Sequence, residues 1–287
     1  MNCRPMLIKV LCFILLTCSS VYGEDLKKPD PPPLKWDGLG KMKTVVSVSV
    51  SADQPFGFTA HKEANAMKAM PKVCFNQLNR AIYWQDTYHQ FQSKAHFDNC
   101  DFKGALDYIQ KLYDEAQNLA LRAKKENEEV KNETIKLAMF SLGQALHAIQ
   151  DFYAHSNYVE LMEKRYEEFD DVPSLKFWTE DGRKTLEKLA EAKELHTGRV
   201  WWGFPKLCED SVPSHEELAK DSESTESGEI SIEKWEDLSR FQAAQQLSNE
   251  ASLEFIKDSF KKMPILGEVC GTNAIYTVFV DRRNLKK

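Results

Sequence analysis

LHAIQDFYAHSNYVEL, residues 146–161, decides how this chain is read. It sets His147, Asp151 and His155 four residues apart. An α-helix turns about 100° per residue, so with His147 at 0°, Asp151 falls near ~40° and His155 near ~80°. Leu142, Ile149, Phe152 and Tyr153 fall between about 140° and 240°, so the apolar face points elsewhere. Gly143, Ala148 and Ala154 border the polar line, and small residues there let a neighbouring helix or an ion come close. Phe152 and Tyr153, directly after Asp151, predict packed rather than wet surroundings.

Two imidazoles and a carboxylate on one face are ligand chemistry suited to Zn²⁺. His147 and His155 stand about 12 Å apart along the axis, too far for one ion. His147 with Asp151 therefore fits one ion, while Asp151 or His155 reaches a second, and other segments must supply further ligands. Asp86 and His96 flank the end of an earlier helix in YWQDTYHQFQSKAHFDNC. With His147 and Asp151 they make an Asp/His/His/Asp set. His61 opens the first helix. The plainer alternative is a helix with surface histidines and an i,i+4 ion pair worth a few tenths of a kcal/mol. His89 is one turn from Asp86 and can pair with it, His215 in SHEEL reads as surface, and the role of His196 is open.

The 287 residues suffice for one large domain or two small ones. MNCRPMLIKVLCFILLTCSSVYG has a basic start, a short apolar run and a small residue at the cut site, so residues 1–23 read as a secretory signal peptide. No later segment is long and apolar enough to span a bilayer, and the mature chain is expected to be soluble and extracellular. The leader takes Arg4 and Lys9 with it, so the mature chain is more acidic than the net −6 of the whole. That disfavours nucleic-acid binding. Cys74, Cys100, Cys208 and Cys270 remain, an even set that predicts two disulfides. Sequence proximity suggests Cys74–Cys100 and Cys208–Cys270. Asn132-Glu133-Thr134 is a glycosylation sequon in a charged, solvent-facing stretch.

Residues 24–58 form a proline-rich arm followed by an extended segment. From Thr59 the pattern is helical, and 59–287 is expected to be a single all-α domain of at least six helices. They are a first to Pro71, a second over 74–92, a third capped by Asp101, and a long fourth from Glu133 to Phe169. A fifth, capped by Asp181, stops near Gly198, and a last runs over 232–263. Residues 198–231 read as a surface loop, and NAIYTVFV as one β-strand.

HxxxDFxAHSNxxEL, with the upstream AHFDNCDFKGALDYI, resembles the hallmark of Het-C-type proteins. It also resembles the N-terminal module of secreted animal proteins carrying a von Willebrand factor A domain downstream. The resemblance covers roughly residues 59–262. More distantly the pattern is similar to bacterial zinc-dependent phospholipases C and fungal single-strand nucleases, which are all-helical and hold three zinc ions. That resemblance implies a multi-helix bundle with His61, Asp86, His96, His147, Asp151 and His155 as metal ligands. It implies one to three zinc ions, metal-assisted hydrolysis of a phosphoester, and Asp86 or Asp151 orienting the water or taking its proton. Asn157, Glu160 and Trp201-Trp202 would line the substrate side, although the tryptophans read better as core. The chain departs from those enzymes in lacking an N-terminal tryptophan and a clear His-xxx-Glu pair, which points to fewer than three ions. NAIYTVFVDRRNLKK resembles the first strand of a von Willebrand factor A domain but lacks the metal-holding serines, so a stand-alone module is expected. The acidic charge favours a phospholipid over a nucleic acid as substrate. The other expectation is a non-enzymatic extracellular binding or toxin-like module with a partial metal site and a protein partner.

Overall fold

The computed structural model describes residues 70–271. The expected leader, arm, first helix with His61, and terminal strand lie outside the described residues.

The described chain is all-α, as its patterning predicts. In order it forms α1 (Lys72–Tyr88), α2 (Ser93–His96), α3 (Phe102–Ala123), α4 (Glu128–His155), α5 (Tyr158–Arg165), α6 (Glu180–Glu191), α7 (His215–Leu218), α8 (Arg240–Lys262) and α9 (Pro264–Cys270). A two-stranded antiparallel ladder, β1 (Ser231–Ile232) with β2 (Leu238–Ser239), is the one sheet among the described residues. No described helix is long and apolar enough to cross a membrane.

Helix α4 is the axis of the bundle, packed against α1, α3 and α8. Its residues from Ile135 to His155 are buried except Leu137, so both the apolar stripe and the His–Asp–His line lie inside the protein. A helix surrounded in this way must satisfy its polar side chains internally. Gln144 donates to Gln85 Oε1 at 2.9 Å, and Gln150 to Ser252 Oγ at 2.8 Å.

Gly143 sets the approach of α1. A Cβ there would lie 2.7 Å from the Ala81 Cβ and 2.8 Å from the Leu78 carbonyl oxygen. Gly143→Ala is therefore expected to lower stability by about 1–3 kcal/mol through overpacking. Urea unfolding measures it, and a midpoint equal to wild type would place α1 farther from α4 than this.

Side-chain caps start the main helices. Asp101 accepts from the Gly104 amide at 3.0 Å, Asn127 accepts from Val130 at 3.1 Å, and Ser239 with Gln242 forms a capping box before α8. The fifth predicted helix is capped by Thr179 rather than Asp181. The long fourth helix breaks after His155, where the sequence pattern continues to Phe169. Ser156 turns to extended backbone (φ −106°, ψ 166°), and donors from distant segments take the last carbonyls. Gly198 N donates to His155 O at 2.9 Å, Lys220 N to Ala154 O at 3.0 Å, and Lys220 Nζ to Ser156 O at 2.8 Å. These replace the amides a continuing helix would have offered.

The disulfides are Cys74–Cys270 and Cys100–Cys208, not the pairs suggested by proximity. Cys74 sits in the first turn of α1 and Cys100 lies past its far end. A helix of 17 residues is about 25 Å long. A disulfide tolerates a Cα separation below about 7 Å. The sequon also differs from expectation: Asn132 is half-buried within α4, and the buried Thr134 hydroxyl donates to Glu126 and accepts from Arg122.

Candidate metal centre

Four segments bring the ionisable groups together. Helix α4 carries His147 and Asp151 one turn apart, facing Asp86 on the last turn of α1 and His96 at the end of α2. The chain after His96 bends sharply. Phe97, Asn99 and Cys100 all adopt left-handed backbone, with φ of 55°, 56° and 58°. Three non-glycine residues in that region within four positions store conformational strain. The bend is held by hydrogen bonds around Asn99, and it sets His96 and Asp98 into the interior from one short segment.

The first cluster is tight. Asp151 Oδ2 lies 2.9 Å from His96 Nδ1 and 3.0 Å from His147 Nε2. The two ring nitrogens are 3.1 Å apart, and His147 Nε2 is 3.4 Å from Asp86 Oδ1. Atoms bound to a tetrahedral zinc at about 2.0–2.1 Å would stand about 3.3 Å from one another. His96, His147 and Asp151 therefore have the mutual spacing of a zinc ligand shell, and Asp86 approaches it on the His147 side. The side chain of His147 is fully buried and that of Asp151 is 1% exposed, whereas Asp86 is 31% exposed and forms the mouth. His96 Nε2 is buried with no hydrogen-bond partner among the described residues.

One turn along α4 is a second cluster. His155 Nε2 lies 3.0 Å from Asp221 Oδ1, and His215 Nδ1 lies 2.9 Å from Asp98 Oδ1. The His155 and His215 rings pack with centroids 4.2 Å apart. Asp98, His155 and His215 each offer a ligand atom within 4.8 Å of the others, as do Asp86, His96 and His147. His155 Nδ1 is buried and has no hydrogen-bond partner among the described residues.

The electrostatics of both clusters favour a cation. Burial opposes charge on His96, but its hydrogen bond to the Asp151 carboxylate and the fields of Asp151, Asp98 and Asp86 outweigh it and raise its pKa. Burial likewise opposes charge on His155, yet Asp221, Asp151 and Asp98 push it up to about 10. A field that holds a proton this firmly suits a divalent cation at the same place. Burial works against the Asp221 carboxylate, but His155 and His215 hold it below the usual carboxylate range.

Of the residues singled out in the sequence, the structure brings Asp86, His96, His147 and Asp151 to one point. It assigns His155 to the second cluster, and His61 lies outside the described residues. His215 is not a surface residue but a partner of Asp98, because the Arg199–Ser214 backbone pairing draws α7 against the bundle. Asp98 and Asp221 went unnoticed in the sequence. The one signal was their short offset from His96 and His215 in AHFD and HEELAKD. The His89 ring bonds Trp84 and Gln92.

Asn157 and Glu160 line one hollow with Lys164, His196 and Arg240, and both are also tied into the fold. Asn157 ties down the 194–196 backbone. Glu160 lies 3.2 Å from the fully buried Lys220 ammonium and near Arg240. Burial opposes the Glu160 charge, but Lys220 and Arg240 hold its carboxyl below the usual range. Lys220 immediately precedes Asp221, so this anchor sets the second cluster's carboxylate. Trp201 is 79% exposed rather than core and Trp202 is half-buried, while Val200 of the same loop is buried.

The fold and site thus describe an all-helical module with adjoining buried His/Asp clusters. Residues 59–173 match the family model for the VWA7 N-terminal domain. Over 84 residues the chain is 38% identical to human von Willebrand factor A domain-containing protein 7. That alignment covers 28% of this chain and 9% of the human protein's length. The matched residues 59–173 include Asp86, His96, Asp98, His147, Asp151 and His155, and end before His215 and Asp221. No solved structure matches the chain.

Proposed function

We propose that this chain is a secreted zinc-binding protein that hydrolyses phosphoesters of the phospholipid class. The observation that carries this reading is the spacing of His96, His147 and Asp151, whose facing atoms lie 2.9–3.1 Å apart, with Asp86 3.4 Å from His147. These four would hold one zinc ion. Asp98, His155, His215 and Asp221 would hold a second. The two disulfides are compatible with an extracellular location. The motif's resemblance to zinc-dependent phospholipases C supports the reaction class.

When bound, zinc supplies a Lewis acid that activates water and offsets the charge developing on phosphoryl oxygens. The chain supplies the rest. Asp151 Oδ2 faces both imidazoles from the floor and would sit beside them in the ligand shell. Asp86, at the mouth, orients the attacking water and takes its proton at a carboxylate oxygen. The buried Lys220–Glu160 pair keeps Asp221 in place.

The depth of the site favours a second reading. A fully buried His147 and a nearly buried Asp151 suit an ion that staples α1, α2 and α4 in a non-enzymatic binding module with an extracellular protein partner. One experiment separates the readings: metal content of the purified secreted protein by mass spectrometry, beside phosphatidylcholine hydrolysis, for wild type and His147→Ala. The hydrolase reading expects near-stoichiometric zinc and a turnover that falls at least roughly a hundred-fold in the variant. Zinc without turnover would leave the binding module. Absence of zinc from wild type would sink both.

A further inference from the structure

The described residues expose eight large apolar side chains, and five of them occur in two short segments that pair with one another. Trp201, Phe204 and Leu207 are 79%, 68% and 59% exposed on the loop 199–208. Tyr88 and Phe91 are 49% and 58% exposed at the end of α1 and just beyond it. Phe204 pairs with Gln92 in a parallel bridge, and Ser93 N donates to Phe204 O at 3.2 Å, which sets residues 91–93 against the loop.

This exposure does not come from a loose loop. Val200 N donates to Asn99 Oδ1 at 2.7 Å, and the Leu207 and Cys208 amides donate to Asn99 O at 3.0 and 3.1 Å. Cys100–Cys208 closes the loop's end. A Cβ on Gly203 would meet Val200 Cγ2 at 2.6 Å, so the turn is packed from within. The backbone is held while its apolar side chains are kept in water, an arrangement that marks an interaction surface.

The protruding rings with cations set among them point to the partner. Residues 87–97 and 199–208 contain Lys94, Arg199 and Lys206, and the carboxylates of Asp210 and Glu216 share the hollow beside Trp201, Arg199 and Lys206. Glu209, at the edge, is drawn away by Lys193 at 2.6 Å. Lys206 donates to the Trp201 carbonyl at 2.7 Å and lies 5.5 Å from the Phe204 ring centroid, so a cation sits among the aromatics. Protruding Trp, Phe and Leu with interspersed Lys and Arg match the interface of a bilayer, where rings enter the acyl boundary and cations meet phosphates.

We propose that the 199–208 loop, flanked by Tyr88 and Phe91, docks this protein onto phospholipid bilayers. The loop's root joins the second His/Asp cluster, through Gly198 N to His155 O at 2.9 Å and Asn99 N, next to Asp98, to Gly198 O at 2.8 Å. Docking would therefore bring headgroup phosphates beside the candidate metal centre. The inference extends the phospholipid reading of that centre, but binding does not require hydrolysis.

The test is co-sedimentation of the full secreted chain with vesicles of phosphatidylcholine, and of phosphatidylcholine mixed with phosphatidylserine, together with tryptophan emission. Wild type is expected to sediment with vesicles and shift its emission to the blue. The double variant Trp201→Ser/Phe204→Ser should bind roughly a hundred-fold more weakly, since each ring removes apolar area from the contact. Its thermal midpoint should be unchanged, because both side chains are exposed. Leu121→Ala, an exposed leucine elsewhere on α3, should bind as wild type. His147→Ala should also bind, which keeps this result separate from any failure of the hydrolase reading. Failure of wild type to sediment, or equal binding by the double variant, would overturn the proposal. So would a dimer in solution that the double variant dissolves, which assigns the patch to a second copy.

Discussion

Dialysis of the purified protein against a strong chelator at neutral pH is expected to lower its thermal midpoint by roughly 10 °C. The argument starts from the buried groups. His147, Asp151, His96 and Asp98 are all 7% exposed or less, so in folding they leave water for a site that gathers negative charge. Without a cation, the carboxylates are compensated only by imidazoles that must take up protons. A metal that binds the folded chain and not the unfolded one stabilises it by about 4 kcal/mol when present at a thousand times its dissociation constant. For a domain of this size each kcal/mol moves the midpoint by about 2–4 °C. Asp151→Asn keeps the shape of the side chain and removes its charge. That variant should melt at a lower temperature and respond little to the chelator. Identical melting of wild type with and without chelator would mean that these clusters work as hydrogen-bonded core and hold no ion.

Loss of the Cys74–Cys270 bridge should have a comparable effect. It joins the first turn of α1 to the last residue of α9 across a sequence separation of 196. Closing so long a loop removes much of the unfolded chain's freedom, worth about 4–5 kcal/mol in the chain-entropy account. Cys74→Ala/Cys270→Ala is therefore expected to melt roughly 10–15 °C below wild type. The bridge lies away from both His/Asp clusters in the sequence, so zinc content below the new midpoint should be retained. A midpoint shift of only a degree or two would show that α1 and α9 are held by packing alone. Loss of zinc together with stability would show that the bridge and the centre are one cooperative unit.

Much of this architecture is legible in the chain itself. The apolar periodicity around Leu142, Ile149 and Phe152 determined that α4 would be a core helix, and the cap Asp101 is a local signal read within four residues, whereas the last helix, expected from residue 232, starts at Arg240 behind Ser239. Spacing alone placed His147 and Asp151 on one helical face, because a helix repeats every 3.6 residues. Gly143 and the flanking alanines announced a close neighbour, and α1 is that neighbour.

What the sequence could not determine is every contact that depends on where a distant segment arrives. The break after His155 depends on amides from Gly198 and Lys220, far along the chain. The pairing of four cysteines depends on which helix ends meet. The outward display of Trp201 depends on hydrogen bonds from Asn99, since composition alone favours burying a tryptophan. The division into two clusters arises because the left-handed bend at Phe97, Asn99 and Cys100 delivers His96 to one turn of α4 and Asp98 to the next. Both clusters are assembled by tertiary structure, since each spans only a few ångströms while the residues that make the two range from Asp86 to Asp221 along the chain.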